Sequence, residues 1–233
     1  LLGRIILKQI IKKIKTANKI AVFCHSKPDP DALGSIFALY LGLKKIGKDV
    51  VAVLEEDVKK KYEIFAEKYQ TTFPENCDLY ICLDTAAPHM LGKFEEKFLA
   101  LKNTIEIDHH FNRTTSASLS YIEGKTSSCS EIIYKLLKKL KVKIDERIAT
   151  LIYFGLAGDT GCFLHENTTA DSHIVASELI KKGAKIFLVN RRLFKSNTKD
   201  KLKLMNIALS KFEYYKDTLV VAISYSDFKS IGY

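Results

Sequence analysis

The chain contains no apolar run long enough to span a bilayer, so a transmembrane helix is not expected. It has no secretory pattern at its start, because Lys8, Lys12 and Lys13 interrupt the N-terminal apolar residues. The first residue is not Met, which fits a trimmed start. No Cys-x-x-Cys pair occurs. The five cysteines (Cys24, Cys77, Cys82, Cys129 and Cys162) are odd in number and lie mostly in apolar runs. A disulfide framework, a disulfide-linked partner and a cysteine-based structural zinc site are therefore not expected, and a reducing cytoplasm is the simplest compartment. There is no internal repeat, no low-complexity tract and no basic stripe interleaved with aromatics. That last absence matters because the formal net charge is +10. An electropositive surface attracts phosphates, but scattered lysines such as Lys59-Lys60-Lys61 equally describe solvated helix faces. Charge alone assigns no partner.

With 47% hydrophobic residues in 233, the chain can bury one large or two small cores. Residues 4–16 carry Ile6, Ile10 and Ile14 at helical spacing, a face expected to pack on its own domain rather than lie on a membrane. Apolar runs at 20–23, 50–54, 79–83 and 104–107 read as strands. Helical patterns at 32–46, stopped by Gly47, and at 91–101 alternate with them. Residues 55–77 are polar and lysine-rich and read as loops and short helices. After a loop at 112–118 come a short strand at 118–122 and helices at 127–140, 145–156, 170–182 and 185–194. Ser128 and Glu131 have capping-box spacing. This alternation predicts an α/β fold, a parallel β-sheet flanked by helices, over residues 1–194. A polar linker at 195–200 follows. A helix at 200–213, a strand at 219–224 and a helical start at 226–231 read as the truncated start of a second α/β domain, residues 201–233.

Four stretches place carboxylates and imidazoles at predicted element ends: His25-x-x-x-Asp29-x-Asp31, Asp84, Asp108-His109-His110 and Gly158-Asp159-Thr160-Gly161. Singly each has a bland reading, since an Asp at a strand end is often the N-cap of the next helix. Three of them end predicted strands, and in a parallel sheet those three ends lie on the same edge. Hard divalent ions prefer carboxylate and water ligands with some imidazole, and two such ions close together need a shared anionic bridge. Asp29 and Asp31, two apart on a turn, can diverge toward different ions. Asp84 on a neighbouring strand end is placed to bridge. A two-ion site can activate water and neutralise a phosphoryl oxygen.

In these motifs the chain resembles the DHH phosphoesterase superfamily over roughly residues 17–195. His25–Ser35 matches its first motif, Asp84 its second, Asp108-His109-His110 the motif that names it, and Gly158-Asp159-Thr160-Gly161-x-Phe163 the fourth. Ser127-Ser128 before Glu131, and Asn167-Thr168-Thr169, make it similar to the branch of bifunctional oligoribonuclease/pAp phosphatases. Cyclic-di-AMP phosphodiesterases share most of these features, and family II inorganic pyrophosphatases share the metal motifs.

The resemblance implies that His25 and Asp29 bind one ion, that Asp31, His109 and Asp159 bind the other, and that Asp84 bridges them. It implies that Asp108 orients a ligand imidazole and that His110 contacts the scissile phosphate or protonates the leaving oxygen. Arg113 is a candidate phosphate contact or a surface arginine. His165 and Asn167 lie beside the site, His89 and His173 are surface residues, and Cys24 is packing. The cofactors implied are two divalent cations, Mn2+ first and Mg2+ second. The implied activity is hydrolysis of short oligoribonucleotides from one end, or of 3′-phosphoadenosine 5′-phosphate, by a hydroxide bridging the ions. The alternatives are a cyclic-dinucleotide phosphodiesterase, a catalytically silent nucleotide-binding module and a metal-independent nucleic-acid binder. A homodimer is an admissible assembly. Members of the branch carry a C-terminal DHH-associated domain with a Gly-Gly-Gly-His-type motif, and no such motif occurs before Tyr233.

Overall fold

The apolar runs at 20–23, 50–54, 79–83 and 104–107 all give strands of one parallel sheet. A computed structural model describes residues 2–111, 113–114 and 117–232; residues 112, 115 and 116 of the expected 112–118 loop, and the chain-end residue 233, lie outside it. The chain divides into a larger unit ending at Arg192 and a smaller one beginning at Leu193. The larger unit runs α1 (Leu2–Thr16), β1 (Lys19–Phe23), α2 (Pro30–Lys45), β2 (Asp49–Val53), β3 (Tyr69–Gln70), β4 (Leu79–Leu83), α3 (Glu95–Leu99), β5 (Thr104–Asp108), β6 (Leu119–Ile122), α4 (Cys129–Lys139), α5 (Glu146–Asp159), α6 (Ala170–Lys181) and α7 (Ile186–Asn190).

The sheet order is β3-β2-β1-β4-β5-β6, with every pairing parallel. From β1 the chain steps outward to β3, then returns across to β4 and steps outward to β6. The order reverses between β1 and β4, and in open α/β sheets the crevice outside the carboxyl ends at such a point is where ligands bind. His25 and Asp84 follow these two strands.

Both β4 and β5 are buried along their whole length, as expected for a parallel sheet covered on both faces. Ala21, Phe23, Tyr80 and Cys82 on one face join Leu91, Phe94 and Phe98 in a core. There the Phe23 ring sits 5.9–6.0 Å from those of Phe94 and Phe98. On the other side α2 lies along α5. A Cβ at Gly34 would stand 2.5 Å from the Leu151 carbonyl oxygen and 2.9 Å from the Gly155 nitrogen. The helices cross that closely because both positions are glycine. No helix of the described residues is long and apolar enough to cross a membrane.

The structure departs from the sequence reading in four places. The expected helix at 91–101 is a 3-10 segment, Pro88–Phe94, kinked at Gly92 (φ 55°), followed by the single turn of α3. Lys93 N–H donates to the Glu55 carboxylate at 2.7 Å beside that kink. The expected helix at 185–194 ends as α7, and Arg191–Lys195 is wound as a π-helix. Ser128 caps α4 by accepting from Glu131 N–H, but the Glu131 carboxylate turns to Ser127 Oγ and Lys135 instead of completing the box. The smaller unit holds α8 (Lys199–Ser210), an antiparallel hairpin of β7 (Phe212–Tyr215) and β8 (Thr218–Val221), and α9 (Tyr225–Ser230). The sequence reading found only one of the two hairpin strands.

Candidate metal centre

β1 runs into Cys24 and His25 and turns through Pro28. Asp29 then caps α2: its Oδ1 accepts from Asp31 N–H at 2.9 Å and Ala32 N–H at 3.0 Å, with Pro30 in the first turn. Thus Asp29 does have the bland role of an N-cap, and its half-exposed carboxylate also lies 4.0 Å from His25 Nε2. Asp31 points the other way and is buried. Its Oδ2 accepts from Cys129 N–H at 2.6 Å and its Oδ1 from Ser130 N–H at 2.9 Å. The carboxylate therefore sits at the N-terminus of α4, where unpaired amides and the helix dipole favour negative charge. Space for it exists because residue 155 is glycine: a Cβ there would stand 2.7 Å from Asp31 Oδ1 and run into Ser130 Oγ.

Asp84 follows β4 with φ 51°, a left-handed conformation uncommon for a residue with a side chain. Its N–H donates to the Ile107 carbonyl at 3.1 Å. Its carboxylate is buried, and Oδ1 has no hydrogen-bond partner among the described residues. His109 brings Nε2 to 3.3 Å from Asp159 Oδ2, 3.6 Å from Asp84 Oδ1 and 3.9 Å from Asp31 Oδ2. Asp159 is the last residue of α5. Its carbonyl oxygen accepts from His165 Nδ1 at 3.0 Å and from Asn167 Nδ2 at 3.2 Å. Both residues lie beside the site as expected, where they fix the backbone of the turn.

Two sets of donor atoms, each within 4.8 Å of one another, result: His25, Asp29 and Asp84, and Asp31, His109 and Asp159. Asp84 also groups with Asp108, His109 and His110. The electrostatics are those of crowded negative charge. Burial, then Asp31 and Asp29, hold the Asp84 carboxyl well above its ordinary range. Burial, again with Asp31 and Asp29 behind it, pushes Asp159 up to about 8. Burial raises Asp31 against the pull of His109 and Ser130. Burial lowers His25, with Asp29 opposing. A buried acceptor with no donor, amid carboxylates driven toward protonation, is a site that lacks positive charge. The donors are carboxylate oxygens and imidazole nitrogens, a set suited to divalent ions that accept both. These residues fit a pair of such cations.

Asp108 is fully buried. Its Oδ1 accepts from the backbone N–H of His109 (2.7 Å) and His110 (3.2 Å) and from His110 Nδ1 at 2.8 Å. The imidazole it orients is therefore that of His110, not of His109. That bond raises the His110 pKa above its ordinary value, with burial opposing. Arg113 also differs from the expectation of a phosphate contact. Its side chain is 6% exposed, Nη1 donates to Asp108 Oδ2 at 2.6 Å, and Nη2 pairs with Glu106. His89 is exposed. His173 is exposed and stacks on Phe163 with ring centroids 4.9 Å apart. Cys24 is buried, and burial drives its thiol pKa up, so packing is its role. Sequence reasoning missed Ser130, Gly155 and Glu106. The small residues flanking the motifs were the available signal for the first two, and an acid inside an apolar strand for the third.

Residues 19–156 match the DHH family, N-terminal domain. A probable bifunctional oligoribonuclease and PAP phosphatase NrnA of Streptococcus mutans is 33% identical over 188 residues, 75% of this chain and 56% of that protein. The bifunctional oligoribonuclease and PAP phosphatase NrnA of Bacillus subtilis is 30% identical over 178 residues, again 56% of its length. The chain thus spans little more than half of these curated relatives. An exopolyphosphatase-related protein from Bacteroides fragilis superposes with a TM-score of 0.88 at 22% identity, covering 99% of this chain and 72% of that one. A putative family II inorganic pyrophosphatase from Methanococcus jannaschii gives 0.61 at 21% identity, with coverage of 91% and 75%. At such identities the likeness concerns the fold.

Proposed function

The chain belongs to the DHH family, and from that premise we propose that it is a two-cation phosphoesterase acting on short oligoribonucleotides or on 3′-phosphoadenosine 5′-phosphate. The substrate class follows the names of its relatives. One observation carries the reading. Asp84, whose buried Oδ1 has no hydrogen-bond partner among the described residues, groups with His25 and Asp29 and lies 3.6 Å from His109 Nε2 of the other set, a placement that supports sharing it between two cations. In this reading His25 and Asp29 hold one cation, Asp31, His109 and Asp159 the other, and Asp84 both. The imidazoles in the set favour Mn2+ over Mg2+. When bound, such cations neutralise phosphoryl oxygens and make a bound water acidic.

The remaining work falls to side chains. His110 is 44% exposed, so it can reach a substrate, and Asp108 holds its Nδ1. The bond to Asp108 raises the ring's pKa above its ordinary value, which favours the form carrying a second ring proton. His110 is thus suited to donate that proton to the departing ribose oxygen, or to bind a phosphate oxygen. Asp31, fixed by two amides of α4, and Asp84, fixed by β5, give the cations a rigid seat. The free thiols fit a reducing compartment, and we place the activity in the cytoplasm.

The test is hydrolysis of the dinucleotide pApA and of pAp with Mn2+, comparing wild type with Asp84→Ala. The expected result is turnover by wild type that falls at least about a thousandfold in the variant. Equal rates reject the assignment. Turnover of cyclic-di-AMP in preference to both would move the substrate to the cyclic dinucleotides.

A further inference from the structure

The guanidinium of Arg113 is enclosed by carboxylates, not by solvent. Glu106 and Asp108, both 0% exposed, are two apart on β5 and so share a face of the strand. Arg113 spans them, with Nη1 on Asp108 Oδ2 at 2.6 Å and Nη2 on Glu106. Nη2 also lies 3.3 Å from the Thr85 carbonyl oxygen, one residue past Asp84. Behind it, Glu106 Oε2 accepts from Ser120 Oγ of β6 at 3.0 Å. In front of it, the second oxygen of Asp108 holds the His110 ring at 2.8 Å. A continuous polar chain therefore runs Ser120, Glu106, Arg113, Asp108, His110 across three neighbouring structural segments.

An apolar residue at position 106 would suit a fully buried strand flanked by Ile105 and Ile107. Buried ion pairs rarely add stability over such a replacement, whereas they do fix geometry. Two backbone amides and the His110 ring hold Oδ1 of Asp108, while Arg113 holds Oδ2; losing that second anchor loosens the carboxylate's orientation and with it the His110 ring. We propose that Arg113, anchored by Glu106, is a positioning residue that fixes the Asp108 carboxylate and through it the His110 ring, and that it does not grip substrate phosphate. The part played by His110 in turnover rests on the phosphoesterase reading; the positioning itself does not.

The experiment compares Arg113→Gln, Arg113→Lys and Glu106→Gln with wild type by two measurements. The first is the 15N NMR signature of the His110 ring in metal-free protein. In wild type Nδ1 is expected to carry the proton shared with Asp108. Arg113→Gln is expected to shift or broaden that signature, and Arg113→Lys to restore it in part. The second is steady-state hydrolysis of pApA with Mn2+. Arg113→Gln is expected to lower kcat about 10- to 100-fold, the usual cost of losing a residue behind an active group, while KM changes less than about twofold. A raised KM with kcat retained would show a phosphate grip and overturn the proposal, as would an unchanged His110 signature. If Arg113→Gln fails to fold, Glu106→Gln decides, since it keeps size and an acceptor. It is expected to give a smaller shift of the same kind, and no shift overturns the proposal. If wild type hydrolyses no phosphoester, the functional reading fails and the NMR comparison still judges the positioning.

Discussion

Asp84 combines two unfavourable features in one residue. Its backbone is left-handed at φ 51°, and its buried carboxylate leaves an oxygen unpartnered. Strain of this kind costs about 1–3 kcal/mol and persists where function requires it. Replacing the residue by glycine removes both the strain and the buried carboxylate. Asp84→Gly is therefore expected to stabilise the metal-free protein by about 1 kcal/mol or more, measured by urea unfolding in the presence of a chelator. A variant less stable than wild type would show that the turn, not the cation site, needs the aspartate. At this scale the residues that cluster in the candidate site were largely legible. His25, Asp29, Asp31, Asp84, His109 and Asp159 could be picked out because acids and imidazoles at strand ends are uncommon and local. The pairing of Arg113 was not legible, because its partners lie on a buried strand face and Glu106 gives no sign in a linear reading of which way it turns.

The helices α2 and α5 place two of the candidate ligands, Asp31 and Asp159, through a glycine contact. Gly155→Ala would gain about 1 kcal/mol of helix propensity. Against this stand the collision with Ser130 Oγ and the 2.7 Å approach to Asp31 Oδ1, and overpacking in a rigid interior costs about 1–3 kcal/mol. The clash should win. Gly155→Ala is expected to lower Tm and to weaken Mn2+ binding about tenfold by displacing Asp31, as followed by calorimetry. A more stable variant that binds Mn2+ normally would mean that the helices separate freely. The element pattern itself was readable, because apolar runs of strand length alternating with helical periodicity admit few folds. What was lost lay where local and tertiary signals compete. Gly92 takes a positive φ against Glu55 and breaks the helix expected at 91–101. The strand β7 hid in a segment whose apolar residues also suited a helix.

The whole molecule carries a net charge of +10, yet its candidate site concentrates negative charge. This gives the metal-free protein an unusual pH dependence. Asp159 titrates near 8 when folded against about 4 when unfolded, so between those values the folded state binds the extra proton. Stability contributed by the protonated group is complete below about pH 4 and is lost as pH rises toward 8. The chelated protein is therefore expected to show a Tm that falls between about pH 5 and pH 8, with Mn2+ abolishing much of the fall; a Tm rising through that range contradicts it. The same charge balance explains why overall composition was uninformative, since a scattered lysine surface conceals a compact acidic site that only the topology assembles. The most direct test of the account is calorimetric titration of Mn2+ into wild type and Asp84→Asn. Two cations per chain are expected for wild type and weakened binding of both for the variant, because one carboxylate serves both. A single cation in wild type, or two bound with equal strength in both proteins, would contradict a centre built around Asp84.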